Sequence, residues 1–252
     1  MPKFDRYTMF ARLFPAIIAM APAIALAWVL VSWHSLSVTH AIAGIALAVL
    51  LMVFADVARR RGKQIEPGLI ERMGGLPSVT MLRHRDTTLD APTKQRMHTI
   101  LATKLGVTAP TATQEDVDPT SADSFYTRAG TWLRENTRDQ KKFDILFNEN
   151  ITYGYRRNLL ALKWPALVLN AAIVIGCAVA CWYGLPQKYQ ADLTPVFVIA
   201  FLHALYLAFF SSENAVREAA RTYARQLLLS TESPHLATKA AAKPRAKKQS
   251  SG

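Results

Sequence analysis

Cysteine is scarce in this chain: two residues in 252, Cys177 and Cys181, set one helical turn apart. Two side chains on one face of one helix are poorly placed for a disulfide, and no further metal-ligating residue stands near them. A disulfide scaffold is therefore excluded, and the two thiols are expected to be small apolar packers. Histidine is sparse and scattered, at six positions with no His-x-x-x-His pair. There is no Walker loop, no G-x-G-x-x-G, no G-x-S-x-G and no H-E-x-x-H. No metal, cofactor or catalytic residue is assigned. Acidic residues are outnumbered, 18 against 30 Lys and Arg, for a formal net charge of +12. Such basicity first suggests nucleic acid. However, only 19% of the residues are charged, 51% are hydrophobic, and the mean hydropathy is +0.11. That balance excludes a disordered chain and an ordinary soluble enzyme.

What is present in abundance is long apolar sequence. Four runs, Leu13–Trp33, Val38–Ala55, Ala166–Tyr183 and Thr194–Phe210, each hold 17 to 21 residues. That is enough for a helix to cross a hydrocarbon core of roughly 30 Å. The first run is too long for the apolar part of a secretion signal, and a second span follows almost at once, so it is expected to be a retained helix.

The basic residues orient these spans. Lys3, Arg6 and Arg12 precede the first; Arg59, Arg60, Arg61 and Lys63 follow the second; Arg156, Arg157 and Lys163 precede the third; Arg217, Arg221 and Arg225 follow the fourth. Ser35–Ser37 carries no basic residue, and Gly184–Leu193 carries only Lys188. By the positive-inside rule both termini and the large central segment are cytoplasmic. Residues 57–163 hold 18 basic and 12 acidic side chains, net +6, and residues 211–252 hold 8 and 3, net +5. Anionic lipid at the cytoplasmic leaflet accounts for this charge, so nucleic acid is not needed as a partner.

The expected architecture is all-α and polytopic. It comprises a first transmembrane hairpin (1–56), a cytoplasmic helical insert (57–163), a second hairpin (164–212), a cytoplasmic helix (213–232) and a disordered basic tail (233–252). In the insert, Ser78–Leu82 reads as extended. Asp90 caps a helix running to Leu105, and Gly106–Asp118 reads as a loop. Thr120 or Ser121 opens the next helix, and a last helix starts near Asp139. After the fourth span, Glu213–Leu229 continues as a helix with Ala215, Ala219, Tyr223 and Leu227 on one side.

Three polar strings stand out in the insert. They contain Arg83, Arg85 and Asp86; Arg134, Arg138 and Asp139; and Glu149, Asn150, Tyr153, Arg156 and Arg157. Glu149, Tyr153, Arg156 and Arg157 share a helix face, with Glu149 the expected partner of the arginines. The strings are expected to converge. Two readings are open: a salt-bridged structural cap, or a pocket in which arginines grip an anionic ligand such as a nucleotide or lipid phosphate. In the third span, Ala172, Gly176 and Ala180 form a small-residue face suited to close helix packing, within the chain or between copies. Pro22 should kink the first span. Asn170, His203 and Tyr206 are the polar groups at depth, and His203 is expected to be neutral and hydrogen-bonded to a neighbouring helix.

Gly74-Gly75-Leu76-Pro77, the string Leu82–Leu89, Thr137-Arg138-Asp139 and the string Glu149–Leu159 resemble those of an uncharacterised family of bacterial four-span inner-membrane proteins, over most of residues 5–225. That resemblance implies architecture and a bacterial setting, and no chemistry. The two-hairpin layout is also loosely similar to membrane effectors of anti-phage systems.

The functional expectation is a non-enzymatic, homo-oligomeric inner-membrane protein. Its insert would sense a ligand or cytoplasmic partner and alter the spans, with a pore-forming or membrane-perturbing effector as one version. The alternatives are a membrane-anchored scaffold that recruits a cytoplasmic protein, and a lipid-phosphate enzyme.

Overall fold

The computed structural model describes residues 5–30, 38–184 and 187–237, and every regular element among them is helical. In chain order these are α1 (Arg6–Thr8), a π-helical turn (Met9–Leu13), α2 (Phe14–Leu30), α3 (Val38–Arg72), α4 (Pro77–Thr80), α5 (Ala91–Leu105), α6 (Ala112–Val117), α7 (Pro119–Asn136), α8 (Asp144–Trp182), α9 (Gln187–Asp192), α10 (Thr194–Phe210), α11 (Glu213–Leu229), a 3-10 turn (Ser230–Glu232) and α12 (Pro234–Ala237). The chain divides into two compact units: residues 1–74 with 148–221, and 75–147 with 222–252.

In the first unit, three helices are long and apolar enough to cross a membrane: Arg6–Leu30, Asp144–Trp182 and Gln190–Phe210. They contain the first, third and fourth expected spans. The second, Val38–Ala55, forms the first half of α3, which continues without a break through Pro67 to Arg72. The connection Ser35–Ser37 lies outside the described residues. Large apolar side chains point outward along these helices, among them Leu30, Val168, Ile175, Phe201 and Phe209. A water-facing surface does not carry so continuous an apolar face. On α8 the exposed rings of Trp164 and Trp182 stand 18 residues apart. At 1.5 Å per residue that is about 27 Å, close to the thickness of a hydrocarbon core. Amphipathic rings at both ends of such a stretch mark membrane interfaces.

Two apolar clusters hold these helices together. Ala19, Ala58, Leu159, Leu162, Ala166 and Leu207 form one. Cys177, Leu193 and Val196 form the other, with Ala25, Leu26, Val29 and Ile173 against it. Cys177 is buried as a free thiol, and Cys181 packs beside it.

The second unit buries a core of its own, built on Leu82, Met97, Leu101, Tyr126, Leu133, Leu227 and Leu228. Asp90 caps α5 as expected, accepting from the Thr93 N–H, and Gly106 ends it at φ +66°, a left-handed conformation natural to glycine. Other boundaries differ from the sequence reading. Ser78–Leu82 begins as a helical turn, α4, because Pro77 at its first position presets φ and has no N–H to leave unpaired. Gly106–Asp118 contains α6, closed by a reciprocal Thr111–Gln114 capping box. Asp118 caps α7 one turn ahead of Ser121 and Pro119 opens the helix, so α7 starts slightly earlier than expected. α8 starts at Asp144. The units part at Gly74–Gly75, Phe147–Asn148 and Arg221–Thr222. Residues 57–74 and 148–163 thus belong with the spans, and the helix after the fourth span is shared.

Candidate functional site

In the second unit the segment Leu82–Asp86 is held from all sides. Its carbonyls are claimed first. His98 Nε2 lies 2.8 Å from the Leu82 carbonyl oxygen, and Lys94 Nζ donates to the carbonyls of Arg83, at 2.7 Å, and Asp86. Its other groups meet carboxylates. Arg83 makes a two-pronged pair with Asp123 at 2.8 and 2.7 Å. Glu115, buried, accepts from the His84 N–H at 2.8 Å and from the Tyr126 hydroxyl at 2.7 Å. Arg85 lies 3.9 Å from its second oxygen.

The charges follow from these contacts. The Asp123 carboxylate raises the Arg83 guanidinium further. Burial pushes the Lys94 ammonium down, against the pull of Asp86 and Glu115. Burial also lowers His98, so its ring is neutral near pH 7. For Glu115, burial acts to raise the carboxyl, yet the donors from His84, Tyr126 and Arg85 outweigh it and leave the group below the usual carboxylate range. Burial and the Glu115 bond raise the Tyr126 phenol.

His84 and His98 pack edge to face, 4.8 Å between ring centroids, and His98 stacks on Tyr126 at 5.5 Å. Two clefts open on this imidazole pair. The larger, about 750 Å³, runs between α5 and the segment Gly106–Ala112, past Gln95, Thr99 and Thr103. The smaller, about 340 Å³, is bordered by Asp86, Thr87, Asp90 and Lys94. His84 Nε2 lies 2.9 Å from the Pro110 carbonyl, tying the far wall of the larger cleft to the clamped loop.

The first unit has a second polar junction. Glu66 on α3 accepts from Arg157 at 2.6 Å and from the Tyr153 hydroxyl at 2.7 Å, both on α8. Arg157 is buried, and it also donates to the Asn158 side-chain oxygen at 3.4 Å. The Asn158 amide donates to the Ala11 carbonyl at 2.7 Å. That carbonyl lies four residues before Pro15, which has no N–H to offer it. Close approach makes the junction possible. A Cβ on Gly62 would fall 2.0 Å from Asn158 Oδ1, and one on Gly154 would fall 2.7 Å from the Tyr7 hydroxyl.

The expected site residues divide between the units. Arg83, Arg85, Asp86, Arg134, Arg138 and Asp139 belong to the second; Glu149, Asn150, Tyr153, Arg156 and Arg157 belong to the first. Arg83 and Arg85 come together at Asp123 and Glu115. Asp86 accepts from the Thr88 N–H, Asp139 accepts from the N–H groups of Lys141 and Lys142, and Arg134 bonds the Thr131 hydroxyl. Arg138 is exposed. Tyr153 and Arg157 meet, but on Glu66, so Glu149 is not their carboxylate partner. Glu149 and Asn150 are half-buried, and Arg156 lies over the Tyr155 ring, 5.8 Å from its centroid. Glu66 and Glu115 carried no sequence signal, because each acts on residues distant in the chain. Ala172, Gly176 and Ala180 are exposed, and a Cβ on Gly176 would meet nothing within 4 Å. Among the described residues, no group of three or more His, Cys, Asp or Glu is placed to hold a metal ion.

Comparison with protein-family models, with curated proteins and with solved structures finds no match to this chain.

Proposed function

We propose that this chain is a non-enzymatic bacterial inner-membrane protein with four spans in two hairpins, both termini cytoplasmic, and that its cytoplasmic unit binds a small ligand and passes that state to the spans. One observation carries this reading. The groups with chemical potential around His84 and His98 already have partners: Lys94 on carbonyls, Glu115 on His84 and Tyr126, Arg83 on Asp123. What they leave open is a cleft of about 750 Å³, a volume typical of small-molecule sites. A fixed cleft without a free nucleophile–base pair suits recognition better than reaction. The arginines expected to grip an anion are in part committed to internal carboxylates, which favours a neutral or hydrogen-bonding ligand over a phosphate.

The test is native mass spectrometry of full-length protein extracted from bacterial membranes. A retained small molecule, absent from the Thr99→Trp variant, is the expected result. Thr99 is exposed on α5 and lines the cleft, so the bulkier side chain fills the space without touching the core. Protein carrying only lipid and detergent would overturn the ligand reading. Separately, a reporter active only outside the cytoplasm should signal when fused within residues 184–193 and stay silent at Thr111. The reverse pattern would overturn the topology.

A further inference from the structure

Between the two apolar clusters of the first unit lies a polar layer, with one contribution from each of three helices. On α8, Asn170 falls between Ala166 of one cluster and Ile173 of the other. On α10, His203 falls between Leu207 and Val196, on the same buried face as Ala200. On α2, Pro22 falls between Ala19 and Ala25. Asn170 donates its amide to the Ala200 carbonyl at 2.8 Å, while its own Oδ1 is buried with no hydrogen-bond partner. His203 is 5% exposed, and both of its ring nitrogens are buried without a partner. The ring faces the Ile18 backbone carbonyl without closing a hydrogen bond of ordinary geometry. Ile18 is four residues before Pro22, so the proline denies that carbonyl its helical donor.

An orphaned donor or acceptor in an apolar interior costs free energy, and intramembrane ionisable groups mark functional sites by default. Two orphaned acceptors, the Asn170 oxygen and the Ile18 carbonyl, beside an unpaired imidazole at one level of the span suit a species that brings N–H or O–H donors. We propose that His203, Asn170 and the Ile18 carbonyl form a mid-membrane binding site for a proton and its accompanying water. Protonation takes one proton from a solvent hydronium, which is left as water, and places it on the free ring nitrogen, giving an imidazolium with two N–H donors. One serves the Ile18 carbonyl; the other reaches the Asn170 oxygen through the water. Loading the site draws α2 and α10 together, and emptying it releases them.

Among the described residues, no charged group faces the ring. From α2, Phe14–Leu30 contributes no titratable side chain. From α8, Cys177 and Cys181 lie in the other cluster, Tyr155 bonds Tyr206 of α10, and Lys163 is tied to the Ala208 and Ser211 carbonyls. The site therefore titrates through His203. The proposal rests on these three helices being embedded in a membrane and is independent of the cleft in the other unit.

The experiment is 15N solid-state NMR of full-length protein with labelled histidine, in lipid nanodiscs from pH 8 to pH 5. The His203 signal is identified by its loss in His203→Gln. The expected result is conversion of the His203 nitrogens to the doubly protonated signature within this range, with magnetisation transfer from water. Pro22→Ala returns a backbone N–H to the Ile18 carbonyl and should weaken proton binding about tenfold, a shift of about one pH unit. A ring that stays neutral and dry at pH 5, or a titration that Pro22→Ala leaves unmoved, overturns the proposal. Either outcome leaves the reporter and mass-spectrometry tests of topology and ligand binding untouched.

Discussion

Two prolines on the first long helix pose the same problem, and the fold answers them differently. Pro15 denies a donor to the Ala11 carbonyl, and the Asn158 amide supplies one at 2.7 Å. Pro22 denies a donor to the Ile18 carbonyl, and the side chain facing it, His203, leaves the bond unmade. The first site is saturated. Glu66, Arg157, Tyr153 and Asn158 bond one another, and Gly62 and Gly154 let the backbones approach. The second is under-satisfied, with orphaned atoms on Asn170 and His203. A saturated junction reads as structure. An under-satisfied one in an otherwise apolar layer reads as a place kept open for a ligand, at a cost in stability.

The contrast predicts opposite responses to removing polar groups. The largest effect belongs to Glu66→Leu, which leaves the buried Arg157 guanidinium without its carboxylate. Unpaired buried charges of this kind cost about 3 kcal/mol, read as a fall in the unfolding midpoint of the reconstituted protein. Asn158→Leu follows, at about 2 kcal/mol, because it strands the Ala11 carbonyl and one side of Arg157. A variant as stable as the parent would show that the junction is dispensable. The second unit, where Glu115 satisfies one oxygen on His84 and Tyr126 and leaves the other without a hydrogen-bond partner, should weaken on acidification. His98 holds its proton less tightly folded than unfolded, so stability falls as pH drops below about 6.5 toward the folded value. The lowered Glu115 contributes stability that is present above about pH 4.5 and is lost as pH falls through its folded value. Chemical denaturation across this range measures both, and His98→Gln should remove the upper part of the slope. His203→Leu has the opposite sign. At pH 8 it removes two orphaned nitrogens and should leave stability unchanged or raise it by about 1 kcal/mol. A large loss there would place His203 among the structural groups and end the contrast. The smallest effect on the protomer is that of Gly176→Leu, whose exposed position meets nothing. If copies associate through Ala172, Gly176 and Ala180, cross-linking in membranes should fall while the unfolding midpoint holds.

How far the sequence reached differs between the fold and the site. Of the four apolar runs read as spans, three lie in helices long and apolar enough to cross a membrane, because length and hydropathy are local properties. Asp90 and Gly106 marked the ends of α5 for the same reason, since capping is settled within one turn. The six residues of α6 are too short for periodicity to register, although the Thr111–Gln114 pair is itself a capping signature. The third polar string correctly put Tyr153 and Arg157 on one face, but assigned them the nearby Glu149.

Composition, span length, the bias of positive charge and the two caps of α5 were determined by the sequence alone, because each depends on neighbours a few residues away. Tertiary structure decided which carboxylate meets which guanidinium. Arg157 pairs with Glu66 across 91 positions, and Arg83 pairs with Asp123 across 40. It also decided which of two prolines found a replacement donor. Those outcomes depend on how closely helices approach and which side chains stand opposite, and one-dimensional spacing does not encode that.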